Sequence, residues 1–467
     1  MTRTESPPIP AINRMLGLGA AGCALVCGIL AVAAGPLLAL TVIGVLAVLG
    51  LFAAAAYRPI FATYAYLGTL PLIAGINAGT LIPLVRPNEA LLVVVLAGAL
   101  AGAYLRWCRG ERVALRLYQF DVPLGVFLLM STAWPLLSLV LRGHTPALSD
   151  LAAVLPVCKL VAVYLLVRCT VTTEAQLVRC FRVVLWPGAV VAVIAILQTL
   201  HVGPVVSLLQ TFWAPDSNAA ALAERGTATL GSPLATGDYI IICLILVICC
   251  GVRGLLDRRE RLALGLVLSA GVLAAGQFST WISAAVAAGL ILWRFNPLRR
   301  NALQFLWLVP VSLALGAPAL IGRLQGFSEF GVPPSWIGRW NNLSTFYLPR
   351  FGFINVLLGV SPNEVLPAPE TWRDVIYLES GYLEFLWIGG IPLVAAFLWL
   401  SVVVLRRTSQ LMAQPGALGA AAATLWVCWG FLIIITVLDP HLTLRGTGDL
   451  FFMLMAMTMG RLSVQRR

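Results

Sequence analysis

The chain holds a single lysine and three histidines in 467 residues, and only 11% of it is charged. So little charge excludes an ordinary solvated globular surface, since soluble domains carry roughly a quarter of their residues as Asp, Glu, Lys and Arg. There is no CxxC pair. His144, His201 and His441 stand in separate segments without ligand spacing, which argues against a metal site. The ten cysteines fall in apolar runs or in arginine-rich turns, so no disulfide framework is implied. Internal repeats and low-complexity tracts are absent as well.

What the chain does have is apolar length. It is 60% hydrophobic, with a mean hydropathy of +0.93, and runs of about 16–25 apolar residues recur from end to end, long enough to span a bilayer. Fourteen spans are expected, over 15–34, 37–56, 59–78, 89–106, 122–141, 150–168, 180–200, 236–252, 260–276, 280–295, 302–321, 380–405, 416–437 and 446–461. Several are short, so the expected architecture is all-α and polytopic with about 12–14 transmembrane helices. Residues 1–14 read as a disordered tail and 15–467 as one membrane domain. The first run resembles a signal peptide in length, but a second span follows within a few residues and no clear cleavage site separates them.

Arginine placement sets the expected orientation. With the N-terminus inside, 22 of the 30 arginines fall at inside positions and 8 outside, with dense inside clusters in "RWCRGERVALR" (106–116) and "RGLLDRRER" (253–261). Both termini are then cytoplasmic. The net charge of +12 follows from topology, and nucleic acid is not an expected partner.

Most loops are tight. Two outside loops, 201–235 and 322–379, are long, and they hold Arg225, Arg323, Arg339, Arg350 and Arg373. Loops of that length inside a compact protein are usually functional or disordered. In the second, a helix is expected from Ser335 to Leu348, with Trp336, Trp340, Leu343 and Tyr347 on one face and Arg339 at its flank. Such a helix lies in the membrane interface, either as an anchor with a snorkelling arginine or as part of a site.

Three stretches suggest a chemistry: "ERGTATLGSPLATGDYI" (224–240), "SWIGRWNNLSTFYLPRFGFINVLLGVSPNE" (335–364) and "LESGYLEFLWIGGIPL" (378–393). In this order, in outside loops of a polytopic protein, they resemble the O-antigen ligase/O-antigen polymerase family of bacterial membrane glycan transferases. "GQFSTWISAAVAAGL" (276–290) is similar to a further segment of that family, with Thr280 in place of its arginine. The resemblance covers roughly residues 200–400. Glu379-Ser380, nine residues and Gly390 keep the ligase spacing, with Glu in place of the ligase His, which leans toward a polymerase.

The resemblance implies a bacterial cytoplasmic-membrane enzyme that moves glycan units from an undecaprenyl diphosphate donor to an acceptor sugar hydroxyl on the outer face. The transfer would be inverting and would need neither metal nor other cofactor. Its partners would be the lipid-linked donor and acceptor, membrane lipids and a chain-length regulator. Arginine forks suit a lipid diphosphate, so Arg225 and Arg339 are the expected diphosphate ligands and Glu379 the expected base. Arg350, Arg373, Arg445, Lys159, Trp340 and Ser380 complete the expected substrate-binding set.

Plainer roles exist for the same residues. Arg225 has Glu224 and Asp238 nearby in sequence, and Glu379 suits a helix N-terminus. Glu384 reads as a buried structural partner. Lys159, in mid-span, has to be paired or to face a polar cavity; it either reaches the diphosphate or pairs with Glu384. Asp439, His441, Arg445 and Asp449 in "LDPHLTLRGTGDLFF" (438–452) either line the same site or are ordinary loop polarity. Two rival functions are a flippase for a lipid-linked saccharide and a glycosyltransferase using a polyprenyl monophosphate donor.

Overall fold

The structure, a computed structural model, describes residues 36–78, 85–111, 118, 120–214, 222, 224–295, 314, 317, 321, 334–369 and 375–460. The tail 1–14, the span expected over 15–34, nearly all of that over 302–321, and Arg323 and Arg373 lie outside the described residues. Among the described residues seven helices are long and apolar enough to cross a membrane, and four shorter helices are apolar. The protein is therefore an all-α, multi-pass membrane protein by helix length and composition.

In chain order the helices are α1 (Pro36–Tyr57), α2 (Pro59–Ile73), α3 (Pro87–Cys108), α4 (Asp121–Ser131), α5 (Ala133–Leu141), α6 (Leu148–Thr170), α7 (Glu174–Thr199) and α8 (Gly203–Phe212). There follow α9 (Pro233–Val252), α10 (Arg258–Ala274), α11 (Phe278–Arg294), α12 (Pro334–Asn342), α13 (Phe353–Leu358), α14 (Gly381–Leu411), α15 (Gly416–Ile435) and α16 (Thr447–Met459). The only strands among the described residues are β1 (Leu366–Pro367) and β2 (Val375–Ile376), paired antiparallel.

The chain forms two compact units, Met1–Ala62 with Val93–Val113, and Thr63–Leu92 with Ala114–Arg467. In the first, α1 and α3 pack through glycines. A Cβ at Gly98 would stand 2.9 Å from Ala55 Cβ, and one at Gly102 would collide with the Ala56 carbonyl. This is close helix approach through small residues spaced four apart, as expected in lipid, where van der Waals contact drives helix association.

In the second unit α9 forms the core, packed by α7, α10, α11 and α15. Gly188 on α7 and Gly237 on α9 let Cys243 and Thr280 approach. The expected span 122–141 is divided between α4 and α5, because the Thr132 hydroxyl bonds back to the Leu128 carbonyl at 2.6 Å and bends the chain there. The expected loop 201–235 contains α8. The helix expected over 335–348 is α-helical only to Asn342. It then widens into a π turn (Leu343–Tyr347) and ends in a 3₁₀ turn at Leu348–Arg350 that carries Pro349.

α14 carries the largest irregularity. Gly390, at φ 65° and ψ −161°, breaks it two residues before Pro392. The loop after α13 enters the break: Val360 N–H donates to the Trp387 carbonyl at 2.6 Å and Trp134 Nε1 donates to the Gly389 carbonyl at 3.0 Å. These bonds satisfy backbone groups that the break frees, the condition for non-helical backbone inside a membrane protein. A side chain at Gly390 would strike the Leu357 carbonyl. Arg142, at the end of α5, holds the inserted loop by donating to Asn355 Oδ1 at 3.1 Å and to the Val360 carbonyl at 3.0 Å.

Candidate functional site

The polar side chains gather at one end of the second unit, where the loops before α9, α14 and α16 meet. Gly381 N–H donates to the Thr436 carbonyl at 2.8 Å, which joins the start of α14 to the end of α15. Arg339 projects from α12 into this junction. Its Nε contacts Glu379 Oε2, its Nη2 donates to Asp439 Oδ1 at 2.9 Å, and its Nη1 donates to the Leu438 carbonyl at 3.3 Å. One guanidinium thus bridges a buried carboxylate and a half-exposed one, the fork geometry that only arginine supplies.

Asp439 begins a second buried pair. The His441 N–H donates to the Asp439 carbonyl at 2.9 Å, and His441 Nδ1 lies 2.5 Å from Asp238 Oδ2 on α9, with both side chains fully buried. Asp238 is therefore held by His441 and not by Arg225. The turn that presents Asp439 to Arg339 is anchored by this pair.

Two cavities adjoin, and Tyr377 lines both. The first, about 770 Å³, is walled by Trp336, Ile337, Trp340, Leu343, Val437 and Leu438, with Arg339, Glu379 and Ser380 as polar groups. Ser380 is the N-cap residue of α14, although its side chain makes no capping bond. The second, about 730 Å³, is the more polar of the two. Arg86, Lys159 and Arg445 line it together with Glu89, Glu364 and Glu384.

The cations of the second cavity have partners. Lys159 Nζ donates to Asp449 Oδ2 on α16 at 2.9 Å, and Asp449 also accepts from Tyr66 Oη at 2.7 Å and from Gly446 N–H at 3.3 Å. The partner of Lys159 is thus Asp449 and not Glu384. Arg445 donates to Asn77 Oδ1 at 2.8 Å, and burial, with Arg86 nearby, lowers its pKa from the usual arginine value. Arg86 lies 3.9 Å from Glu89. Burial raises the Glu364 carboxyl above the usual carboxylate range, partly offset by a backbone hydrogen bond.

The expected site residues separate into groups. Arg339, Glu379, Ser380 and Trp340 share the first cavity, and Lys159 and Arg445 share the second. Arg225 lines neither; its carbonyl accepts from Gln198 Nε2 at 2.8 Å, which fixes the turn before α9. Arg350 is exposed at the end of its 3₁₀ turn and lines neither cavity. Arg373 is outside the described residues. Sequence reasoning missed Arg86, Glu89 and Glu364. The available signal was a charged residue flanking an apolar run, and it is too common to single them out.

No protein-family profile, curated protein or solved structure matches this chain.

Proposed function

We propose that this chain transfers glycan units from a polyprenyl diphosphate-linked donor to a sugar hydroxyl, in the manner of the O-antigen polymerase and ligase enzymes it resembles in sequence. One observation carries the reading. Arg339 bridges Glu379 and Asp439 at the head of an apolar cavity that adjoins a polar one. An amphiphile with a long apolar tail, an anionic linkage and a sugar headgroup suits such a pair of cavities.

The chemistry follows from exposure. The Asp439 side chain is 4% exposed and the Glu379 side chain 38%. An incoming diphosphate displaces the more exposed carboxylate from the guanidinium, while Asp439 keeps Arg339 oriented. The N-terminus of α14 adds positive potential beside it. Glu379, released from its counter-charge, takes the proton of the acceptor hydroxyl as that oxygen attacks the anomeric carbon. The bond from that carbon to the diphosphate oxygen breaks, and the negative charge gathering on the leaving group is met by Arg339. A single displacement of this kind inverts the anomeric centre.

The test uses purified protein with an undecaprenyl diphosphate-linked oligosaccharide. Arg339→Lys keeps the charge, loses the fork and is clearly impaired while still accumulating in the membrane. Glu379→Gln lowers turnover by roughly two to four powers of ten, and Glu379→His retains more activity than Glu379→Gln. Near-normal turnover by Glu379→Gln would overturn the reading.

A second reading has its own support. Broken helices and charged residues within spans are features of secondary transporters, and the break in α14 and Lys159 in the middle of α6 are of that kind. A protein that moves a lipid-linked saccharide between leaflets of proteoliposomes, with no new glycosidic bond, would be a carrier.

A further inference from the structure

The second cavity contains two carboxylates without a cation. Lys159 is taken by Asp449, Arg86 lies beside Glu89, and Arg445 is turned to Asn77 and the Gly75 carbonyl. Among the described residues no ion pair reaches Glu364 or Glu384, although the two are close enough to interact electrostatically.

Glu384 is 4% exposed, lines the cavity, and its Oε2 has no hydrogen-bond partner. The Thr443 hydroxyl is a donor toward this carboxyl, and it also donates to the Pro440 carbonyl at 3.0 Å. A hydroxyl has one proton to give, so it cannot serve both acceptors. A buried carboxylate oxygen left without a donor is expensive, and such groups mark places where a ligand or water supplies the missing bond.

The remaining walls narrow the ligand. Trp213, Tyr377, Phe127 and Phe385 put aromatic surface beside the carboxylates, and Asn77 and Ser232 add short polar groups. The ligand therefore needs several hydrogen-bond donors, apolar faces to lie on aromatic rings, and no negative charge at the Glu364–Glu384 end. Hydrated metal ions are a poorer match, since no group of three His, Cys, Asp or Glu side chains that could hold one occurs among the described residues.

We infer that the second cavity is a saccharide subsite, in which Glu384 and Glu364 accept hydrogen bonds from the hydroxyl or amino groups of a neutral or amino sugar. It rests on the glycan-transfer reading and names the sugar class of that same site. A uronic acid is disfavoured at this position, because its carboxylate supplies no donor to Glu384 Oε2. Arg86 and Arg445 line the same cavity and bind the sugar's ring and hydroxyl oxygens.

The experiment is saturation-transfer NMR on the full chain in nanodiscs, with three free disaccharides: a neutral N-acetylated one, one bearing a free amine, and one with a uronic acid unit. No lipid-linked donor is needed. The neutral and amino disaccharides bind at millimolar concentration and the uronic one does not. Glu384→Leu weakens the binding about tenfold, as loss of a hydrogen bond to a buried acceptor requires. Glu364→Gln, on a loop outside the helices, weakens binding of the amino disaccharide selectively. Arg182→Ala, at a residue that pairs with Glu260 and lines neither cavity, leaves all three affinities unchanged.

Failure of every disaccharide to bind wild type, or binding unaltered by both glutamate substitutions, overturns the subsite. Selective binding without transfer from a lipid diphosphate donor upholds the subsite and overturns the transfer reading.

Discussion

The Lys159–Asp449 pair offers the clearest quantitative test of the fold. Lys159 reaches from α6 to Asp449 on α16, with side-chain exposures of 17% and 1%. Removing one member of a buried pair strands the other charge and costs about 3–5 kcal/mol. Here the stranded carboxylate keeps two donors, Tyr66 Oη at 2.7 Å and Gly446 N–H at 3.3 Å. The loss for Lys159→Met is accordingly smaller, about 2–3 kcal/mol.

In the double variant Lys159→Met/Asp449→Asn the buried charge is gone, and the amide oxygen still accepts from Tyr66. Replacing both members of a buried pair is often neutral, so the double variant regains at least half of the loss. The assay is thermal unfolding of purified protein in one detergent at one scan rate, since unfolding of large proteins is often kinetically controlled. At roughly 2–4 °C per kcal/mol, Lys159→Met melts several degrees below wild type and the double variant lies between them. A double variant no more stable than Lys159→Met would refute the argument that stranded charge is the source of the loss.

Two further outcomes follow from particular residues. Gly390→Ala forces a side chain onto a backbone at φ 65° and into the Leu357 carbonyl. It lowers stability by more than about 1 kcal/mol, measured by the same melt, whereas Gly338→Ala, in open space, does not. Glu364 has its carboxyl raised by burial, so the folded state holds its proton to higher pH than the unfolded chain does. Stability is therefore lost as pH rises from the ordinary value of 4.5 through the raised one. Glu364→Gln flattens the melting-temperature profile in that interval.

The helices were legible because apolar length is a strong signal: α6, α7, α9, α14 and α15 fall where the apolar runs place them. Lys159 announced itself as a residue needing a partner. Its identity was hidden, because Asp449 lies 290 positions away and only packing brings the two together. The same holds for Asp238 and His441, which look unrelated in sequence. The breaks were partly legible. The paired glycines Gly389 and Gly390 allow a close approach, but that residues 357–360 make it depends on the whole bundle. The π turn at Leu343–Tyr347 has no sequence signature and upsets the simple helical spacing of the aromatics. Arg225 and Arg339 share a residue type and a loop setting in the sequence. Only packing sends Arg339 toward two carboxylates and leaves Arg225 at a turn.

α9 has a consequence for how the protein is made. In the finished structure 89% of its most apolar window is covered by the rest of the chain, so its side chains meet protein and hardly any lipid. Its high hydropathy is then a requirement of biosynthesis, because a helix has to partition into the bilayer before its neighbours can surround it. Asp238 enters near the start of that helix, and His441, which later pairs with it, is 203 residues from being synthesised. Until then the carboxyl waits without its partner.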